Sequence, residues 1–398
     1  MKKWLNQMGP ATLVTAAFVG PGTVTVCAQA GVRFDFSLLW ALLLSVGITI
    51  LLQEMAARIG VVRQKDLAEV LKERITHPVL KFATISLVLL AIVLGNAAYE
   101  AGNINGAVMG LEIISGSKQQ WLWPIVAGVI AYFILYLGNH KLLEKTLLGL
   151  VIFMSLSFVA TAIITQPDYG AILNGFIQPR IEEGNILMIL ALIGTTVVPY
   201  NLFLHASLAK QKWKHSSQLP EVRTDTMVAI GLGGLVSMAI LVTGASIPGN
   251  ELTRPMDLAY GLQPLFGNAA TFFTGIGLFA AGITSSITAP YAAAIVIQSC
   301  FGWKGGMDSK KFRASWMIIL LIGLASTTLS FSPIVIIQFA QLANGILLPI
   351  MAALLWWLSA SKQVLGIYRN GKILNLVSFF LLLTTVILSI RTLSKVLF

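Results

Sequence analysis

The chain of 398 residues is 56% hydrophobic and only 11% charged, with a mean hydropathy of +0.82, against roughly 25% charged residues in an ordinary soluble domain. That balance excludes a soluble enzyme and points to an integral membrane protein. The net charge of +11 arises from 27 Lys and Arg against 16 Asp and Glu; the basic residues gather between apolar runs, where they report topology and not a nucleic-acid partner.

About 20 apolar residues cross the hydrocarbon core, and eleven stretches qualify, near residues 10–32, 36–57, 79–101, 121–137, 146–165, 185–208, 226–246, 268–298, 314–330, 334–358 and 373–394. Met1, Lys2 and Lys3 ahead of the first run imitate a secretory leader, but no small-residue cleavage site follows and further spans come after it, so it reads as the first span. That run contains AFVGPGTVTVCAQAG, residues 17–31. Its Gly20-Pro21-Gly22 would break a helix where hydrocarbon cannot satisfy the freed backbone. Glu54, near the end of the second span, predicts a gate or loop ion pair. In the third span, GNAAYEAGNING carries Glu100, the most deeply placed carboxylate of any predicted span and so a candidate for ion coupling, or an interfacial residue if that span ends early.

The sixth span carries a second break, IGTTVVPYNLFLHASL, residues 193–208, with Pro199 near its middle. In the eighth, GITSSIT, residues 282–288, packs small hydroxyl residues that suit close helix contact or a sodium site. In the tenth, Gln338, Gln341 and Asn344 fall at three-residue spacing on one stripe, for a pathway lining or for interhelical hydrogen bonds. Trp4, Trp121, Trp123, Trp303, Trp316, Trp356 and Trp357 sit near predicted span ends, as an interfacial belt would. Cys27 and Cys300 lie in apolar surroundings that offer neither a disulfide framework nor a metal cluster, and His77, His140 and His215 fall in loops.

Interrupted helices five spans apart are the sequence sign of an inverted-repeat transporter whose site lies between the unwound segments. Placing the N-terminus and every second loop in the cytoplasm puts most of the 27 basic residues inside and the C-terminus outside, for a multi-pass protein of the plasma (inner) membrane. No soluble domain or long linker interrupts residues 1–398, which read as a single transmembrane domain.

The GPG of the first span and VPYNLFLHASL of the sixth resemble the Nramp (natural resistance-associated macrophage protein) family of metal transporters, which have the LeuT-type fold. The likeness extends to RQKDLAEVL, KLLEK, PDYGAILNGFIQPR, GLFAAGITSSIT, NGILLP and LGIYRN, over nearly the whole chain. The resemblance implies an all-α membrane protein with a 5+5 inverted repeat, spans 1–5 over about 10–165 and spans 6–10 over about 185–358, plus an eleventh span over about 373–394. It matches His205 to the second histidine after the family's sixth-span break, a candidate proton relay, and Gln341 and Asn344 to polar residues of its pathway.

The chain departs from the family at the metal site. The family's Asp-Pro-Gly-Asn reads Gly20-Pro21-Gly22-Thr23 here, and its Met-Pro-His reads Val198-Pro199-Tyr200. The anionic oxygen and the thioether that suit a transition-metal dication are both missing. The expected substrate site is therefore Gly20, Pro21, Gly22, Thr23, Val198, Pro199, Tyr200, Asn201, Gln341 and Asn344, with Glu100 and His205 for ion coupling and no metal ligands.

No phosphate loop, H-E-x-x-H, paired Cys motif or Ser-His-Asp set occurs at membrane depth, so neither an enzyme nor a bound cofactor is expected. The first expectation is a secondary active transporter, a symporter or similar, moving a small neutral or anionic solute across the lipid bilayer and not a transition metal. The alternative is a proton-coupled carrier of a magnesium- or manganese-type divalent ion held by backbone carbonyls. A third reading is a sensor or scaffold that kept the fold and transports nothing.

Overall fold

Helix stands at every one of the eleven predicted stretches in the computed structural model, which describes residues 9–11, 15, 19–119, 121–137, 141–182, 184–306, 308–329 and 331–397, with side-chain surroundings for all but 141–146 and 395–397. Lys2, Lys3, Trp4 and His140 lie outside the described residues. The first five spans contribute α1 (Pro21–Phe34), α2 (Leu39–Arg63), α4 (Pro78–Ser115), α5 (Leu122–Leu137) and α6 (Lys141–Ile164), with a short α3 (Leu67–Arg74) between the second and third. After α7 (Tyr169–Ile177), the sixth span is split into α8 (Ile186–Thr196) and α9 (Pro199–Lys212). The rest are α10 (Leu219–Gly244), α11 (Ala270–Phe301), α12 (Lys310–Ser326), α13 (Pro333–Ala360) and α14 (Lys372–Leu397).

Among the described residues, eight helical segments are long and apolar enough to cross a membrane, the split sixth span counted as one; α5 is apolar but shorter. Proline occupies the first turn of α1, α4, α9 and α13, where its missing N–H costs nothing and its fixed φ favours helix. Three boundaries differ from those predicted by six residues or more, the seventh span beginning at Leu219. The second span runs on to Arg63, and the third continues to Ser115, where Gly116 (φ 64) ends it. The polar residues that make 102–106 look like a loop are buried against neighbouring helices, so tertiary contacts carry the helix onward.

Several pairs of neighbouring spans repeat with a shift of five. Span 2 packs on span 6 and span 7 on span 1; span 3 packs on span 9 and span 8 on span 4; span 3 packs on span 10 and span 8 on span 5; span 5 packs on span 7 and span 10 on span 2. Spans 3 and 8 pack on each other along the axis of this exchange, where a side chain at Gly282 would meet the Ala107 backbone nitrogen at 2.5 Å. Gly282 thus serves close packing, while the Ser285 and Ser286 hydroxyls of the same stretch are buried without a hydrogen-bond partner.

The loops after spans 2, 6, 8 and 10 meet at one end. Gln64 donates to the Trp213 carbonyl at 2.9 Å, Lys72 to the Ser299 carbonyl at 2.6 Å, and Lys210 pairs with Asp66 at 2.8 Å. Ser216 bonds the Tyr368 hydroxyl at 3.1 Å. Glu54 pairs with Arg58 at 3.1 Å and Arg223 at 3.0 Å, as its position suggested. His77 and His215 are exposed at this basic end. Trp316 does not join an interfacial belt: it is buried beside Tyr132, at 5.7 Å between ring centroids.

Candidate functional site

Both breaks are real and both face inward. At the first, Gly20 takes an extended conformation (φ −106, ψ −169) and Pro21 opens α1, whose first helical bond runs from Val24 N–H to the Gly20 carbonyl at 3.1 Å. The positive end of α1 thus lies at the break. At the second, Val197 and Val198 leave helical geometry (ψ 86 and 118) between α8 and α9. Pro199 has no N–H, so the Thr195 carbonyl lacks the donor four residues on that a continuous helix would give it. The negative end of α8 and the positive end of α9 meet there. Gly20, Pro21, Gly22, Thr23, Val198, Pro199, Tyr200 and Asn201 are all buried.

Gln341 of α13 joins the two breaks. A side chain at Gly22 would fall 2.0 Å from Gln341 Nε2, and one at Gly194, in the last turns of α8, would fall 1.9 Å from the Gln341 carbonyl oxygen. Glycine is required at Gly194, where the opposing atoms are backbone; at Gly22 the opposing atom is the movable end of the Gln341 side chain, which marks the close approach of the tenth span to the first. Gln341 Oε1 and both side-chain atoms of Asn201 are buried without a hydrogen-bond partner. Such groups are costly unless something polar reaches them.

Asn344, one turn further along α13, turns toward α4, its Oδ1 3.5 Å from where a Gly95 side chain would begin. It too keeps both polar atoms unpaired and buried. Gln338, the third residue of that stripe, is only half-buried.

Tyr200 points from the sixth-span break onto Tyr99 of α4, ring centroids 5.5 Å apart and edge to face. Glu100, the next residue, has 0% exposure and lies well inside α4, which removes the interfacial alternative. Asn103 Nδ2 donates to Glu100 Oε2 at 3.2 Å, Oε1 has no hydrogen-bond partner, and the carboxylate stem rests on Gly323 of α12. His205 is not at the break: its Nδ1 meets Gln53 Oε1 of α2 at 3.0 Å, within the contact between spans 2 and 6.

Asn96 went unnoticed in the sequence. It is fully buried in α4 with both amide atoms unpaired. Together with Tyr99, Glu100 and Asn103 it forms a polar stripe at three- and four-residue spacing in an otherwise apolar helix, a signal that was present in GNAAYEAGN. Among the described residues, no three His, Cys, Asp or Glu come close enough together to hold a metal ion. The site is a cage of neutral amides, hydroxyls and carbonyls, with one carboxylate a short way off along α4.

The model of the "Natural resistance-associated macrophage protein-like" family matches residues 11–395. The "Divalent metal cation transporter MntH" of Yersinia pestis (strain Pestoides F) is 27% identical over 373 residues, 91% of this chain and 88% of that protein, and the MntH of Verminephrobacter eiseniae is 27% identical over 374 residues, 91% of this chain and 83% of its own. Among solved structures, the Eremococcus coleocola manganese transporter superposes with a TM-score of 0.78 at 20% identity, covering 99% of this chain and 87% of that one. MhsT, solved in complex with L-phenylalanine, reaches 0.61 at 15% identity, covering 96% of this chain and 98% of its own. The expectation of a neutral or anionic solute finds no support among the named metal transporters, which favour the divalent-cation alternative instead. The paired breaks, the exchange of neighbours by five spans and these matches agree: the chain is a membrane transporter of the Nramp family with the LeuT-type fold.

Proposed function

We propose that this protein is a secondary transporter that carries a hard divalent cation of the magnesium or manganese type by alternating access, coupled to protons. The observation that carries the reading is the convergence of Gly22, Gly194 and Gln341, which brings two helix ends and an unpaired amide oxygen to one buried point. Neutral oxygen donors suit hard cations, and an ion that keeps several of its waters needs few protein ligands. The relatives named as divalent metal cation and manganese transporters supply the substrate class. With neither carboxylate nor thioether at the breaks, selectivity shifts away from soft ions such as cadmium.

In this reading Gly20, Thr23, Val198, Tyr200, Asn201 and Gln341 line the site, with Pro21, Gly22 and Pro199 shaping it and Asn344 and Asn96 further along the route. Glu100 exchanges the coupling proton, since a buried carboxylate with one free oxygen gains from protonation, and His205 relays it or holds spans 2 and 6 together. Spans 1, 2, 6 and 7 rock as one body against spans 3, 4, 8 and 9. The basic end faces the cytoplasm.

The test is uptake into proteoliposomes with magnesium, manganese and cadmium, with and without an inwardly directed proton gradient. Gradient-stimulated magnesium or manganese uptake exceeding that of cadmium is expected. Absence of flux for all three would overturn the reading and return the site to a neutral or anionic solute, which its lack of formal charge also accommodates.

A further inference from the structure

Away from the breaks, the turn joining α13 to α14 forms a cleft of about 400 Å³ at the basic end. Arg369 and Lys372 stand in its wall, both exposed, and neither forms an ion pair with a described residue. None of its lining residues is acidic. α14 begins at Lys372 and runs for 26 residues, so its first amides and the positive end of its dipole open at the same place.

Beneath lies Asn370, 4% exposed, whose Oδ1 accepts from Arg58 Nη2 at 2.6 Å and whose Nδ2 has no hydrogen-bond partner. Arg58 Nη1 also donates to the Tyr368 carbonyl at 2.9 Å, so a buried guanidinium polarises the turn from behind. Ile367 lines the cleft at 88% exposure, and Ile373, the residue after Lys372, is 81% exposed. In a membrane protein, isoleucines that bare mark contact with lipid, and the Trp356 indole bonded to Asn375 Oδ1 at 3.0 Å marks the interfacial depth.

We infer that this cleft binds a phosphate group at the membrane surface, held between Arg369, Lys372 and the start of α14. Two cations with no carboxylate opposite them, next to exposed isoleucines, match the chemistry of an anionic phospholipid headgroup, whose diester phosphate lies at that depth. Because the same turn holds Arg58, occupancy stiffens the clamp that ties α2 to the loop before α14.

The purified full-length protein in neutral detergent would be melted with added phosphatidylglycerol, phosphatidylcholine or inorganic phosphate. Phosphatidylglycerol is expected to raise the melting temperature by a few degrees by mass action on the folded state, phosphatidylcholine to do much less, and the rise to vanish in the Arg369→Gln/Lys372→Gln variant. Both side chains are exposed, so the variant keeps its fold. The Lys304→Gln/Lys310→Gln variant removes the same charge elsewhere at this end and should retain the shift. Stabilisation by phosphatidylglycerol but not by inorganic phosphate assigns the phosphate to lipid; equal stabilisation by both assigns it to the free anion. No phosphatidylglycerol shift, or one that survives in Arg369→Gln/Lys372→Gln, would overturn the inference.

Discussion

Gln341 has two jobs that can be separated. Its carbonyl packs on Gly194 and any residue would supply it; its amide alone reaches Gly22 and leaves Oε1 unpaired. Gln341→Leu should therefore lower cation uptake by about tenfold or more, some 1.4 kcal/mol of lost substrate interaction, while the protein still elutes as a single folded species on gel filtration. Gly194→Ala attacks the other job. Its methyl meets a backbone carbonyl that cannot swing aside, so loss of thermal stability by about 1–3 kcal/mol is expected alongside the loss of transport. Glu100→Gln keeps the shape and the Asn103 contact but cannot exchange a proton. Uptake in that variant should persist at a reduced rate and become indifferent to an imposed proton gradient; stimulation equal to wild type would remove Glu100 from coupling.

At the scale of the element, the two broken spans carry the proposed site. Pro199→Ala restores an N–H that the Thr195 carbonyl can accept, worth about 1 kcal/mol toward a continuous helix. The variant should melt no lower than wild type and transport about tenfold less, as read by paired thermal and uptake assays; full transport would show that the break is incidental. Both breaks were legible because proline and glycine act locally, through a missing donor and a permissive backbone, and need no partner to be read. The end of the third span was not. Gly102, Asn103, Asn105 and Gly106 are poor helix formers by propensity, and only burial against α11, α12 and α13 keeps them helical. The same tertiary contacts hid Asn96 and placed Asn344 toward α4, since a stripe on one helix does not say which neighbour it faces. The missing carboxylate and thioether were equally plain in the sequence, yet the named relatives are metal transporters and favour the divalent-cation alternative.

For the whole molecule, the exchange of neighbours by five spans and the gathering of four loops at one basic end tie topology to charge. Cys27 and Cys300 are buried, so the native chain offers a quiet background for labelling. In intact cells, Lys304→Cys should resist a membrane-impermeant maleimide and Lys118→Cys should react; the opposite pattern would invert the orientation. Arg58 is the one cation among the largest buried side chains, at 2% exposure, and its bonds to Tyr368 and Asn370 staple α2 to the turn before α14. Arg58→Ala should cost about 3 kcal/mol of stability in detergent, because the turn loses its donor while Glu54 keeps only Arg223.

The contact between spans 1 and 3 sets where movement must turn. A side chain at Gly106 would meet the Pro21 ring at 2.2 Å, so the bare backbone of α4 is the seat on which the start of α1 rests. Six residues along, about 9 Å at the helical rise, the same helix presents Glu100. In the proposed transport cycle, a first span that tilts on that seat pivots at the depth of the proposed site. Its two arms then swing oppositely, one aqueous mouth narrowing as the other widens, and the fulcrum stays within reach of the acid whose proton would accompany the swing.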